Sequence, residues 1–137
     1  MSDTMSSHLT TIQTIYNCFA QGDVPGILAL LSDDVTFFNG SDPRLTSFGG
    51  EFKGREGVIR FFTALGASSQ TTLFEPYDFR EESDRVINRV RHDGIINTTG
   101  RPFSVDVLFT WTLNDKGQVI DWKGTGDFTS VNDAALN

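Results

Sequence analysis

Pro102-Phe103-Ser104-Val105-Asp106-Val107-Leu108-Phe109-Thr110-Trp111-Thr112-Leu113 decides the fold, because its character alternates with a period of two. The odd positions carry Phe103, Val105, Val107, Phe109, Trp111 and Leu113, all apolar. The even positions carry Ser104, Asp106, Leu108, Thr110 and Thr112. Successive side chains of a strand point to opposite faces, so this is a strand with one covered face and one mostly polar face. The odd set must meet the rest of the chain. Asp106 points away from it.

Three more extended stretches surround this one: Thr71 to Glu81, Arg85 to Asn97 and Gln118 to Phe128. The turn signals between them are Glu82-Ser83-Asp84, Thr99-Gly100-Arg101 and Asn114-Asp115-Lys116-Gly117. Connections this short make consecutive strands antiparallel neighbours. Alternation puts Val86, Asn88, Val90, His92 and Ile96 on the inner face, with Arg85, Arg89 and Arg91 outside. In the last stretch Ile120 and Trp122 should point inward, and Asp121 and Lys123 outward.

The N-terminal half follows a helical period instead. Leu9, Ile12, Ile15, Tyr16 and Phe19 form one stripe, which Gly22 ends. Asp23 is placed as an N-cap with Pro25 in the first turn of a second helix, whose stripe is Val24, Ile27, Leu28 and Leu31. Val35 to Phe38 reads as a short strand, and Asn39 to Gly54 as a long connection suited to a lid or pocket rim. A third helix carries Val58, Phe61, Phe62 and Leu65 on one side. Helices first and a meander afterwards mean an α+β domain. Three N-terminal helices should pack on a strongly curved mixed, mostly antiparallel sheet, forming a cone-shaped α+β barrel around an apolar pocket. The expected organisation is a disordered N-terminus over 1–8, one domain over 9–129 and a tail over 130–137.

The chain has 137 residues, enough for one substantial core, and 12 of them are Phe against 2 Tyr and 2 Trp. So many rings build either a solid core or the wall of a cavity. A formal charge of −7 argues against nucleic acid and anionic membrane surfaces, which need a basic face. The single cysteine, Cys18, falls within a helical stripe and reads as a buried inert thiol. There is no apolar run of membrane length and no secretory pattern at Met1 to Ser7, so a cytoplasmic location is expected. Only His8 and His92 could supply imidazole, so no metal site and no cofactor is expected. Phosphate loops and nucleophile elbows are also missing. What remains is an apolar cavity holding a few polar groups, and the inner face offers Tyr16, Asn39, Asn88 and His92.

Several segments in order resemble the nuclear-transport-factor-2-like superfamily, in its SnoaL-like and ketosteroid-isomerase-like branch. The carriers are Ile15 to Asp23, Leu30 to Val35, Phe52 to Val58 with Phe61-Phe62, and Trp111 to Leu113 continuing through Gly117 to Trp122. The resemblance implies a cone of helices and curved sheet, and dimers formed through the outer sheet face. Ketosteroid isomerases carry a carboxylate base where this chain has Asn39, and an acid donor where it has Phe109. Their donor tyrosine lies within one residue of Tyr16. The epoxide-hydrolase branch would need aspartates where Arg91 and Gly124 stand. Two functions follow from these residues. One is an isomerase- or cyclase-type enzyme acting on an apolar polyketide-like or terpenoid-like small molecule, by proton transfer or templating. In it His92 is the base, Tyr16 and Asn39 are donors, and Phe38, Phe61, Phe62, Asn88, Phe109, Trp111 and Trp122 hold the ligand. The other is a non-catalytic small-molecule binding protein with the same pocket.

Overall fold

A computed structural model describes residues 4–136. In chain order the elements are α1 (Thr4–Ala20), α2 (Val24–Leu28), β1 (Leu31–Asn39), β2 (Gly50–Lys53) and α3 (Gly54–Ser68), followed by β3 (Ser69–Glu82), β4 (Arg85–Ile96), β5 (Pro102–Leu113), β6 (Val119–Thr125) and α4 (Thr129–Ala135). The six strands form one sheet in the order β2-β1-β6-β5-β4-β3. β3 through β6 are the expected antiparallel meander, and β1 joins β6 in parallel. The domain is thus α+β with a mixed, curved sheet. The sheet is open, with β2 and β3 at its edges, so the expected barrel does not close. Register breaks in β3 between Thr71 and Leu73 and between Tyr77 and Arg80, with Asp78 at φ 57°, bend that edge.

The parity read from β5 is observed. Phe103, Val105, Val107, Trp111 and Leu113 are buried, while Ser104 and Asp106 are exposed. β4 agrees, with Val86, Asn88 and Val90 fully buried. In β6 the parity slips. Val119 and Trp122 are buried and Ile120 is half-exposed, because the pairing shifts beside Val119 on both neighbouring strands.

The element bounds depart from the expected ones in three places. Residues 4–8, expected to be disordered, belong to α1, since no Gly or Pro there stops the helix from propagating back from the packed Ile12 and Ile15; residues 1–3 lie outside the described residues. Residues 129–135, in the stretch expected to be a tail, form α4. α4 packs Val131 and Ala134 into the core at helical spacing, and the Asp127 side chain accepts from Thr129 N at its start, with Asn137 outside the described residues. The second helix ends at Leu28, and Leu31 already belongs to β1.

Candidate functional site

The concave face of the sheet, α1, α3 and α4 enclose a cavity of about 70 Å³. Its wall is aromatic. Phe37 sits 5.0 Å from Trp122 between ring centroids, and Phe109 meets Trp122 edge-on at 4.9 Å. Such tilted and edge contacts fix the rings in place beyond what their burial alone does. Among the described residues no Lys, Arg, Asp or Glu lines the cavity.

Phe61, Phe62, Phe109, Trp111 and Trp122 line the cavity. Phe38 does not. It is 36% exposed on the opposite face, and Phe37 holds the inward place. Asn39 is on the cavity wall, and adjacent residues of one strand cannot both face the same side. Asn88 is also displaced from its expected ligand contact. It is fully buried beneath the wall rather than on it.

Asn88 instead accepts a hydrogen bond from Tyr16. The Tyr16 hydroxyl donates to Asn88 Oδ1 at 2.9 Å and accepts from Trp111 Nε1 at 3.1 Å. Asn88 Nδ2 in turn donates to the Arg89 carbonyl at 3.0 Å. Burial pushes the Tyr16 phenol far above its usual pKa, against the weaker lowering effect of these two bonds, so it stays protonated. Tyr16 lines the cavity, but its proton is aimed at the protein.

Asn39 is oriented by its neighbours. Ser41 N and Ser41 Oγ both donate to Asn39 Oδ1, at 3.0 and 2.6 Å. A backbone N–H can only donate, so the oxygen faces Ser41 and the amide Nδ2 is left as the free end. Asn39 is therefore a donor to the cavity and no base.

His92 lies between Phe74 and Phe103, with centroids 5.3 and 5.2 Å away, and its Nε2 is 2.9 Å from Thr71 Oγ1. Burial pushes its pKa down to about 4, against a small upward pull from Asp93. The ring is neutral at pH 7. Four residues of β4 separate it from Asn88, about 13 Å at roughly 3.3 Å per residue. Tyr16, held at Asn88, and His92 thus stand at different places on the wall of one cavity, which Asn39 also lines.

Phe48, Phe74, Phe128 and Val131 also line the cavity, and sequence reasoning passed over them. Parity would have selected Phe37 over Phe38. Phe48 arrives from an irregular loop, where no periodicity points inward. Trp122 Nε1 is a further feature: it is buried with no hydrogen-bond partner. Among the described residues no group of His, Cys, Asp and Glu is placed to hold a metal ion, and no helix is long and apolar enough to cross a membrane.

A curved sheet wrapped by helices around a cavity, in this strand order, is the nuclear-transport-factor-2-like cone fold. The chain belongs to the SnoaL-like domain family, whose model matches residues 12–122. An NTF2-like protein of unknown function from Burkholderia pseudomallei superposes with a TM-score of 0.86 at 21% identity, over 97% of this chain and 100% of that one. TerC, co-crystallised with polyporic acid, gives 0.80 at 20% identity over 94% and 98%. Rv0760c from Mycobacterium tuberculosis, in complex with estradiol-17β-hemisuccinate, gives 0.75 at 23% identity over 90% and 96%. At these identities the likeness concerns the fold. A comparison with curated proteins finds no significant match.

Proposed function

We propose that this protein holds an apolar, ring-bearing small molecule of polyketide-like or terpenoid-like character in the cavity. The observation that carries this is a wall of packed rings with no ionised group on it. Such a surface gains by covering apolar area, at about 25 cal/mol per Å², and offers a charged molecule nothing in return for its hydration. Two fold relatives were crystallised with ring compounds, which supports the same ligand class. Cytoplasmic location and a homodimer through the outer sheet face belong to the same proposal. The test is thermal unfolding with a panel of apolar ring compounds. A ligand at a hundred times its Kd stabilises by roughly 2.7 kcal/mol, on the order of 10 °C for a chain of this size. No shift with any member, and no small molecule released on denaturing the purified protein, would overturn the proposal.

A second reading is turnover at the same site, and the place of His92 on the cavity wall favours it. An imidazole of pKa about 4 is a free base throughout the physiological range. It is weaker than an ordinary histidine, and proton transfer is most efficient when the pKa lies near the working pH. Asn39 would hold the developing enolate. Tyr16 would donate only by leaving Asn88. Full turnover by His92→Ala on the native substrate would eliminate this chemistry but leave binding intact.

A further inference from the structure

We propose that the β1–β6 end of the cavity is a subsite for an acceptor oxygen, a neutral ketone or quinone carbonyl on the ligand ring, bound by Asn39 Nδ2 and Trp122 Nε1. The inference rests on the binding function proposed above and names the polar group that the ligand presents.

Two independent observations meet here. Trp122 is 2% exposed, lines the cavity, and its Nε1–H finds no acceptor in the protein. A buried N–H left unpaired is costly, and native structures rarely keep one without a use. Trp111 makes the contrast, since its Nε1 is bonded to Tyr16. On the neighbouring strand, Asn39 has its oxygen occupied by two donors from Ser41, which leaves its amide hydrogens.

The register brings the two donors together. In the parallel pairing of β1 with β6, Asn39 stands opposite Gly124 and Phe37 opposite Trp122. Asn39 and Trp122 are thus diagonal neighbours on one face, roughly 8 Å apart between Cα atoms, within reach of one oxygen. Gly124, carrying no side chain, lets the Trp122 indole and the Phe109 ring pack closely over the strand opposite Asn39. A Cβ there would lie 3.0 Å from Trp122 Cζ2 and 3.3 Å from Phe109 Cε1.

The chemistry of the ligand follows from the donors. The Asn39 oxygen has both lone pairs engaged, so an incoming hydroxyl would find no acceptor in this pair. A carboxylate would find two neutral donors and no cation on the wall. A carbonyl oxygen accepts from both. Where the isomerase-like relatives of this sequence would place a base, this chain grips an oxygen.

The test compares indan-1-one, indane and indan-1-ol, which share one skeleton, by calorimetric titration of the full chain. The ketone should bind about tenfold more tightly than the hydrocarbon, in line with one to two neutral hydrogen bonds, and more tightly than the alcohol. Trp122→Phe and Asn39→Leu should each shrink the ratio of ketone to indane affinity measured within the same variant, whatever the change in overall affinity. The wild-type chain supplies a readout that needs no variant: of its two indole N–H resonances, one should move downfield with indanone and not with indane. Equal ketone and hydrocarbon affinities, or a preference for the alcohol, would overturn the subsite and leave the pocket standing. Failure of all three compounds to bind at millimolar concentration would remove the pocket and the subsite together.

Discussion

Tyr16, Asn88 and Trp111 form a buried polar group whose three side chains depend on one another. Tyr16→Phe leaves Asn88 Oδ1 and Trp111 Nε1 without their partner, and each buried orphan costs about 1–3 kcal/mol. Urea denaturation should therefore show Tyr16→Phe losing on the order of 2 kcal/mol or more. A loss for Tyr16→Phe below about 0.5 kcal/mol would contradict the two bonds. His92 makes a second prediction. Its pKa is about 4 in the folded chain, against 6.5 for an unperturbed histidine, so the unfolded chain binds more protons between those values. Stability from the neutral ring is complete above pH 6.5 and is lost as the pH falls toward 4. The loss is on the order of 2–3 kcal/mol, since each unit corresponds to about 1.4 kcal/mol. His92→Phe should flatten the stability profile in that window, and an unchanged slope would show that the ring is solvated. His92 and Tyr16 were legible as inward-facing residues because alternation and helical spacing are local. Their hydrogen-bond partners were not, since Asn88 lies 72 positions along the chain from Tyr16.

At the scale of elements, periodicity exposed the meander and the three leading helices and missed the two pieces without it. β2 is four residues with Gly50 at φ 90°, and it becomes a strand only by pairing Glu51 with Phe38 and Phe52 with Phe37. α4 is seven residues, too short to propagate unaided, and its stability comes from docking. It buries Val131 and Ala134 at the cavity's end, and three hydrogen bonds fasten it. Ser104 N donates to Ser130 Oγ at 2.9 Å, Asp42 N to Asn132 Oδ1 at 2.9 Å, and Thr99 Oγ1 to the Ala134 carbonyl at 2.6 Å. Burying one Val-sized side chain stabilises by roughly 1.5–3 kcal/mol, and a hydrogen bond by about 1. A chain ending at Phe128 should lose about 3 kcal/mol or more and open the cavity to solvent. Unchanged unfolding in urea would mean that α4 does not close the core. The same bond from Asp42 ties α4 to the loop that carries Phe48, so the truncated chain should also bind apolar compounds more weakly.

For the whole molecule, the two faces of the sheet divide the work between them. The concave face gathers the rings, and the convex face gathers charge. Tyr77 Oη donates to Asp106 Oδ2 at 2.6 Å, and Arg89 donates from Nε to Asp106 Oδ1 at 3.0 Å and from Nη2 to the Asp106 carbonyl at 3.1 Å. Arg89 and Asp106 side chains are 41% and 43% exposed, and such a surface pair contributes at most about 1 kcal/mol to the fold of one chain. Asp106→Arg should accordingly leave the melting profile and ligand affinity of a single chain nearly unchanged. In the proposed homodimer the same substitution sets like charges against each other across the outer face, where juxtaposed charges cost several kcal/mol. Sedimentation velocity at micromolar concentration should then find a dimer for the native chain and a monomer for Asp106→Arg, with indane binding retained in both. A native chain that sediments as a monomer would free the convex face of any such role. A variant that stays dimeric would move the interface off Asp106, to the sheet edges at β2 and β3 or to the helices.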